Sequence, residues 1–175
     1  MVRWYPSIVL SVIFAAMTAG SASAQTGGTN VAFGYSFLRL LSDVDENLPM
    51  GWLVSFATPV QRSPVALVGE IAGNYRREDG ITLRLHTAQG GVRIFGDVDG
   101  SVTPFAQVLA GVMAFGCCGG SSKYFSLEPG GGLDIAVSRS ASVRLAASLP
   151  IAFSDGDSAH GLRLQAGIVL PLSVR

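Results

Sequence analysis

Apolar and polar positions alternate every second residue along most of this chain. In GLRLQAGIVLPLSV, residues 161–174, Leu162, Leu164, Ala166, Ile168, Leu170 and Leu172 fall on one side, with Arg163 and Gln165 on the other. Period two marks a β-strand with two unlike faces. The pattern recurs in seven further segments. Asn30–Leu40 sets Val31, Phe33, Tyr35 and Phe37 against Ala32, Gly34 and Ser36, and Met50–Pro59 sets Trp52, Val54 and Phe56 against Gly51, Ser55 and Ala57. Val65–Arg76 sets Val65, Leu67, Ile71 and Tyr75 against Glu70, Asn74 and Arg76. Ile81–Phe95 begins with Ile81, Leu83 and Leu85 against Thr82, Arg84 and His86, then slips phase at Gly90-Gly91, so that Val92 and Ile94 flank Arg93. A glycine pair at a phase slip predicts a β-bulge. Val102–Phe115, Tyr124–Val137 and Ala141–Phe153 complete the set. No window of the strand region holds a 3.6-residue apolar stripe for three turns.

The segments run to about 10–14 residues, against about 5–6 for strands in soluble proteins and about 9–11 for strands that cross a membrane. Alternation alone does not say which face meets water. Composition bears on that. Charged residues are 14% of the chain, where an ordinary soluble domain has about 25%. Lys123 is the only lysine, although a wetted strand face would be rich in lysine. The polar face instead mixes Gly, Ala and Ser with a few large charged groups, a composition suited to the narrow interior of a small barrel. That interior is expected to hold a structural polar network of Glu70, Arg76, Arg84, His86, Arg93, Glu128, Asp134, Arg144 and Arg163. These charges must pair, because a buried charge without its partner is costly. Trp52, Phe37, Tyr75, Tyr124 and Phe153 lie towards segment ends, where membrane barrels concentrate aromatics. Acidic stretches (LSDVDENLP, REDG, SDGDSAH) and the glycine-rich GCCGGSS read as loops alternating with tight turns. The fold class this implies is all-β, an eight-stranded antiparallel up-and-down transmembrane β-barrel.

The chain before this region has a different character. Arg3 is followed by the apolar run Ser7–Met17 and by Ala22-Ser23-Ala24, the pattern of a signal peptide cut before Gln25. The expected organisation is therefore residues 1–24 as signal peptide and 25–175 as one barrel domain exported to the outer membrane. The remaining 11 basic and 12 acidic residues form no basic patch or stripe, so no nucleic acid is expected as a partner. Cys117 and Cys118 are adjacent within GCCGGSS. They read as small residues of a loop, with a vicinal disulfide or an intermolecular bond as alternatives.

The runs TPFAQVLAGV, GGGLDIAVSRSASVRLAASLP and GLRLQAGIVLPL resemble the second half of small bacterial outer-membrane barrels of the outer membrane protein A-like type. The residues that carry the resemblance are Pro104-Phe105, Gly130 to Asp134, Arg144-Leu145 and Gly167; it covers residues 102–172 well and 30–101 by pattern alone. The resemblance implies an eight-stranded barrel and assigns no catalytic residue. The chain ends Leu-Ser-Val-Arg, where such barrels often end on an aromatic, and no peptidoglycan-binding domain is expected as a partner of the barrel. The expected partners are outer-membrane lipid and lipopolysaccharide, together with barrel assembly machinery and periplasmic chaperones.

No constellation demands catalysis. Ser154, Asp155, Asp157, Ser158 and His160 lie together in SDGDSAH and could be cast as a hydrolytic triad, yet triads are recognised by geometry and not by proximity in sequence. His86 reads as a hydrogen-bonded interior histidine or as a pH-sensitive one. Pro129–Gly132 lacks the Lys and helix of a phosphate loop, and no second Cys or His pair has zinc-ligand spacing. The expectation is a non-enzymatic barrel without cofactor or metal, with a structural or surface-interaction role. The rivals are a lipid A-modifying enzyme and a soluble exported ligand-binding barrel.

Overall fold

The computed structural model describes residues 28–41, 45–60, 63–78, 80–96, 101–117, 120–154 and 157–172, and the expected signal peptide lies outside them. Ten strand segments follow in order: β1 (Asn30–Leu41), β2 (Asp45–Leu48), β3 (Met50–Pro59), β4 (Val65–Glu78), β5 (Ile81–Phe95), β6 (Val102–Cys117), β7 (Gly120–Ser138), β8 (Ala141–Ser148), β9 (Ile151–Ser154) and β10 (Asp157–Pro171). All pairings are antiparallel, and β1 pairs with β10 from Asn30↔Pro171 to Leu40↔Gly161. The sheet therefore closes on itself.

The ten segments make eight staves. Proline has no N–H to give a ladder, and it interrupts two of them. β2 and β3 both pair with β1 on either side of Pro49. β8 and β9 both pair with β10 and with β7 on either side of Leu149-Pro150. Stepping from partner to partner around the ring, Asn30 leads through Ala57, Val68, Gly91, Leu109 and Glu128, then past Pro150 to Gly161 and Leu40. The ring thus closes ten residues further along β1. With ~3.3 Å per residue and ~4.8 Å between strands, this stagger tilts the strands by about 40°.

Two local expectations change. The β4–β5 and β5–β6 registers run unbroken through Gly90-Gly91, with Gly69↔Gly90 and Gly91↔Leu109, so no bulge lies there. The register shift falls instead between β7 and β8 at Ala136/Ser138. The acidic and glycine-rich stretches are also not loops along their whole length. Asp45–Leu48, Gly120–Lys123 and Asp157–His160 are strand, and β6 runs on to Cys117. At this end only two or three residues separate consecutive strands, and Gly80, at φ 81, lies in the turn between β4 and β5. A left-handed Gly after Asp is the short-hairpin signal. Cys118 lies outside the described residues.

The β1–β10 seam opposes Gly34 to Gly167. A Cβ on Gly34 would stand 2.2 Å from the Ala166 carbonyl oxygen and 2.4 Å from the Gly167 Cα. Backbone would have to move to admit it. Gly34→Val is expected to cost about 1–3 kcal/mol, as overpacking does, and to lower the temperature at which the folded band disappears on an SDS gel.

Candidate functional site

The inner faces of the staves fill the ring with two apolar clusters and a charged network. At the end of the two- and three-residue hairpins, Leu38, Leu48, Leu85, Met113 and Ala152 form a buried apolar cap, joined by Leu40, Phe115 and Tyr124. At the other end Ala57, Ala66, Val68 and Leu109 form a second cluster with Phe95. One charged centre lies between the two, and a second is level with the lower cluster, where Phe95 packs on Phe105.

The first is the Arg163–Glu128 pair, both side chains 0% exposed. Arg163 Nη1 donates to both Glu128 carboxylate oxygens at 2.9 and 2.8 Å, and the Ser148 hydroxyl donates to Oε1 at 2.6 Å. Gln165 Nε2 donates to Glu70 Oε1 at 3.3 Å. A second centre surrounds Phe105. Arg144 holds Asp134 in a bidentate pair at 2.7 Å through each nitrogen. Arg93 donates through Nε and Nη2 to Gln107 Oε1 at 2.9 and 2.6 Å. Both guanidiniums lie over the Phe105 ring, 4.6 and 4.9 Å from its centroid. The negative ring face is attractive to each cation. Towards the apolar cap, Asn74 exchanges hydrogen bonds with Ser36, and Gln89 donates to Ser126.

Of the nine residues expected inside, Glu70, Arg93, Glu128, Asp134, Arg144 and Arg163 are brought together in this network. Arg76 is on the inner-facing parity but at the rim, where it binds Glu46 and Glu78. Arg84 and His86 are corrections. Both are exposed on the outer face, while their neighbours Leu85 and Thr87 point inward. The apparent phase slip in β5 arises because one inner face changes chemistry along its length, from Leu85 in the apolar cap to Arg93 in the charged network. Sequence reading of the network did not include the neutral partners Ser36, Gln89, Ser126 and Ser148, nor the role of Phe105. Their signal was parity with the charged residues, not residue type.

The outer face is the reverse of a soluble protein's. Phe33, Phe56, Leu67, Ile71, Val112, Phe125, Leu133, Leu145, Leu164 and Ile168 are all exposed. Register and tilt place them in a belt about 20 Å tall, close to the height of a lipid-facing band. Near its upper edge Trp52 Nε1 donates to the Tyr75 hydroxyl at 3.3 Å, and that hydroxyl meets His86 Nε2 at 2.8 Å. Tyr124, expected among the interface aromatics, instead packs inward against the cap.

Strand alternation puts Ser158 and His160 on the opposite face from Asp157, so these three do not form a triad, and Asp155 lies outside the described residues. Among the described residues no group of three His, Cys, Asp or Glu is placed to hold a metal, and no helix is long and apolar enough to cross a membrane. At the end away from the apolar cap there is a vestibule of about 320 Å³, lined by Asn30, Thr103, Asp134, Arg139 and Ser142 among others.

A closed antiparallel ring of eight staves, apolar outside and charged within, defines the class: this is the fold of the small outer-membrane β-barrels. Among solved structures it is similar to Neisserial surface protein A, at 12% identity and a TM-score of 0.67 over 83% of this chain and 97% of that one. It is also similar to Ail, the attachment invasion locus protein of Yersinia pestis, solved with the heparin analogue sucrose octasulfate, at 18% identity and TM-score 0.55 over 82% and 99%. The N-terminal β-barrel domain of Pseudomonas aeruginosa OprF matches at 12% identity and TM-score 0.53 over 83% and 100%. No protein-family model and no curated sequence matches the chain.

Proposed function

We propose that this chain is a non-enzymatic integral protein of the outer membrane, exported by a cleaved signal peptide. Its role is in envelope integrity or surface interaction, and its interior is a structural plug. The observation that carries this reading is the inversion of polarity. Large apolar side chains such as Phe33, Leu67, Ile71 and Leu164 stand exposed around the ring, while the Arg163–Glu128 pair is sealed inside. In water such a surface would aggregate; in lipid it is the solvated one. The apolar cap over the buried Arg163–Glu128 pair argues for anchoring over conduction. The proposed partners are outer-membrane lipid and lipopolysaccharide, with assembly machinery and periplasmic chaperones on the way to the membrane.

The test is fractionation with a heat-modifiability gel. The protein is expected in the detergent-extracted outer-membrane fraction, with a folded band that changes mobility only on boiling. Recovery in the soluble periplasmic fraction without such a shift would overturn the reading. In planar bilayers the purified barrel is expected to be silent; steady unitary conductance would refute the plug.

A further inference from the structure

The charged centre around Phe105 borders the vestibule. Asp134 lines that cavity of about 320 Å³, and so do Asn30 and Phe95. The three belong to β7, β1 and β5, and all are on the inner-facing parity. Around the ring they are three, two and three strand steps apart. Register and stagger bring them to one level within about 2 Å along the axis. A carboxylate, an amide and an aromatic ring therefore converge on the cavity from three sides.

Phe105 buttresses two of the three. Its ring meets Phe95 at 6.3 Å between centroids and 61° between planes. The Arg144 guanidinium lies 4.9 Å from its centroid and donates to both Asp134 oxygens. Asp134 keeps 13% of its side chain exposed, and a carboxylate oxygen can accept more than the one bond that Arg144 gives each. Asn30 Oδ1 is buried and finds no donor among the described residues. The last torsion of Asn is broad, so a turn of the amide aims that oxygen into the cavity. At the rim Arg139 stands exposed on the turn between β7 and β8, next to the register shift at Ala136/Ser138. Bulges of this kind re-aim side chains beside functional sites.

The chemistry of the lining selects its ligand. Of the described residues around the cavity only Asp134 and Arg139 are charged, and their charges cancel. Net charge therefore favours neither an anion nor a cation. An apolar ligand would strip water from the carboxylate and the Asn30 amide without replacing the hydrogen bonds, which is costly. We infer that the vestibule binds an uncharged saccharide. Sugar hydroxyls both donate and accept. They give to Asp134 and Asn30, and accept from Arg139 and the serines around the mouth. The C–H face of the sugar ring packs on Phe95 and the prolines of the rim. A few convergent polar groups on an apolar wall make a small-molecule site, and the volume is at the small end of the range for one. β1 starts and β10 ends at this mouth. It is the periplasmic one in the membrane-barrel reading above, on which the inference rests for its location.

The test uses the full mature chain refolded in a zwitterionic detergent that carries no sugar headgroup. It is titrated with glucose and with N-acetylglucosamine, and with their charged counterparts glucuronate and glucosamine. Backbone amide NMR shifts locate the binding and give its strength. At least one of the two neutral sugars is expected to saturate, with shifts confined to the vestibule end. Which of them binds distinguishes a plain glucan from an N-acetylated glycan as the source. Each charged counterpart should bind about tenfold more weakly or worse, since it brings an uncompensated charge to a neutral site. Asn30→Ala with Arg139→Gln should weaken the neutral sugar by about tenfold or more, for two lost hydrogen bonds. Asp134 is left in place, because its loss would strand the buried Arg144. Arg84→Gln, at the hairpin end, should change nothing. No saturable shift from either neutral sugar, shifts at the hairpin end, equal binding of a charged counterpart or an unaffected double variant would each overturn the proposal. A heat-modifiability gel on the same samples separates the two readings. A barrel that folds but ignores sugar refutes the vestibule site alone, and a chain that gives no heat-modifiable band refutes the membrane barrel.

Discussion

Glu128→Gln is expected to destabilise the folded barrel by about 3–5 kcal/mol, the cost of leaving a buried charge without its partner. The substitution keeps the shape of the side chain and removes the charge that both Arg163 contacts and the Ser148 hydroxyl address. Arg163 cannot escape to water, because the apolar cap lies on one side and the Leu109 cluster on the other. Its Nε and Nη2 already find no protein acceptor, and Glu70, which is close enough to attract it, accepts from Gln165 instead. Replacing both partners, Glu128→Gln with Arg163→Met, should return most of the loss, because the buried pair itself contributes little net stability once its desolvation is counted. Urea unfolding of the four members of this cycle in lipid vesicles measures the coupling. A single-variant loss below about 1 kcal/mol would mean that the interior is wet enough to solvate a guanidinium.

Leu164→Arg is expected to cost about 2–4 kcal/mol, the penalty for a cation on the lipid face near the middle of a bilayer. Leu164 is 45% exposed and pairs with Phe37 and Ala147. Register and tilt put it close to mid-belt. The same substitution at Thr82, exposed on the outer face above the belt, should cost no more than about 1 kcal/mol, because the penalty fades towards the interface. Folding efficiency into vesicles, followed by the heat-shifted band, reads both variants. A soluble protein would show no difference between the two positions.

The eight staves were legible because period two persists over lengths that only a bilayer-crossing strand needs. The central network was legible because Arg93, Glu128, Arg144 and Arg163 have no other polar face to occupy. Where the reading failed, one assumption was at fault: that each strand keeps one apolar and one polar face from end to end. β5 does not. Leu85 points into the ring because the interior turns apolar there, and Arg84 points out because the lipid belt has ended. Nor could sequence show that the acidic stretches pair as hairpins. Ser, Gly and Asp are poor strand formers, and what holds Asp157–His160 extended is its pairing with β9, a tertiary fact. The neutral members Gln107 and Ser148 were invisible as specific partners because a partner is a matter of register across strands.

The β1–β10 seam has a kinetic consequence. Its two halves are separated by more than a hundred residues, so closure pairs the two ends of the domain and must await nearly the whole chain. Until then both terminal strands carry open ladders, the state most prone to pair with a neighbouring molecule. A chain truncated before Gly161 would therefore lose more than one stave. It would keep two permanent edges and the lipid-facing side chains of the remaining staves, and it should be lost to degradation or aggregation in transit.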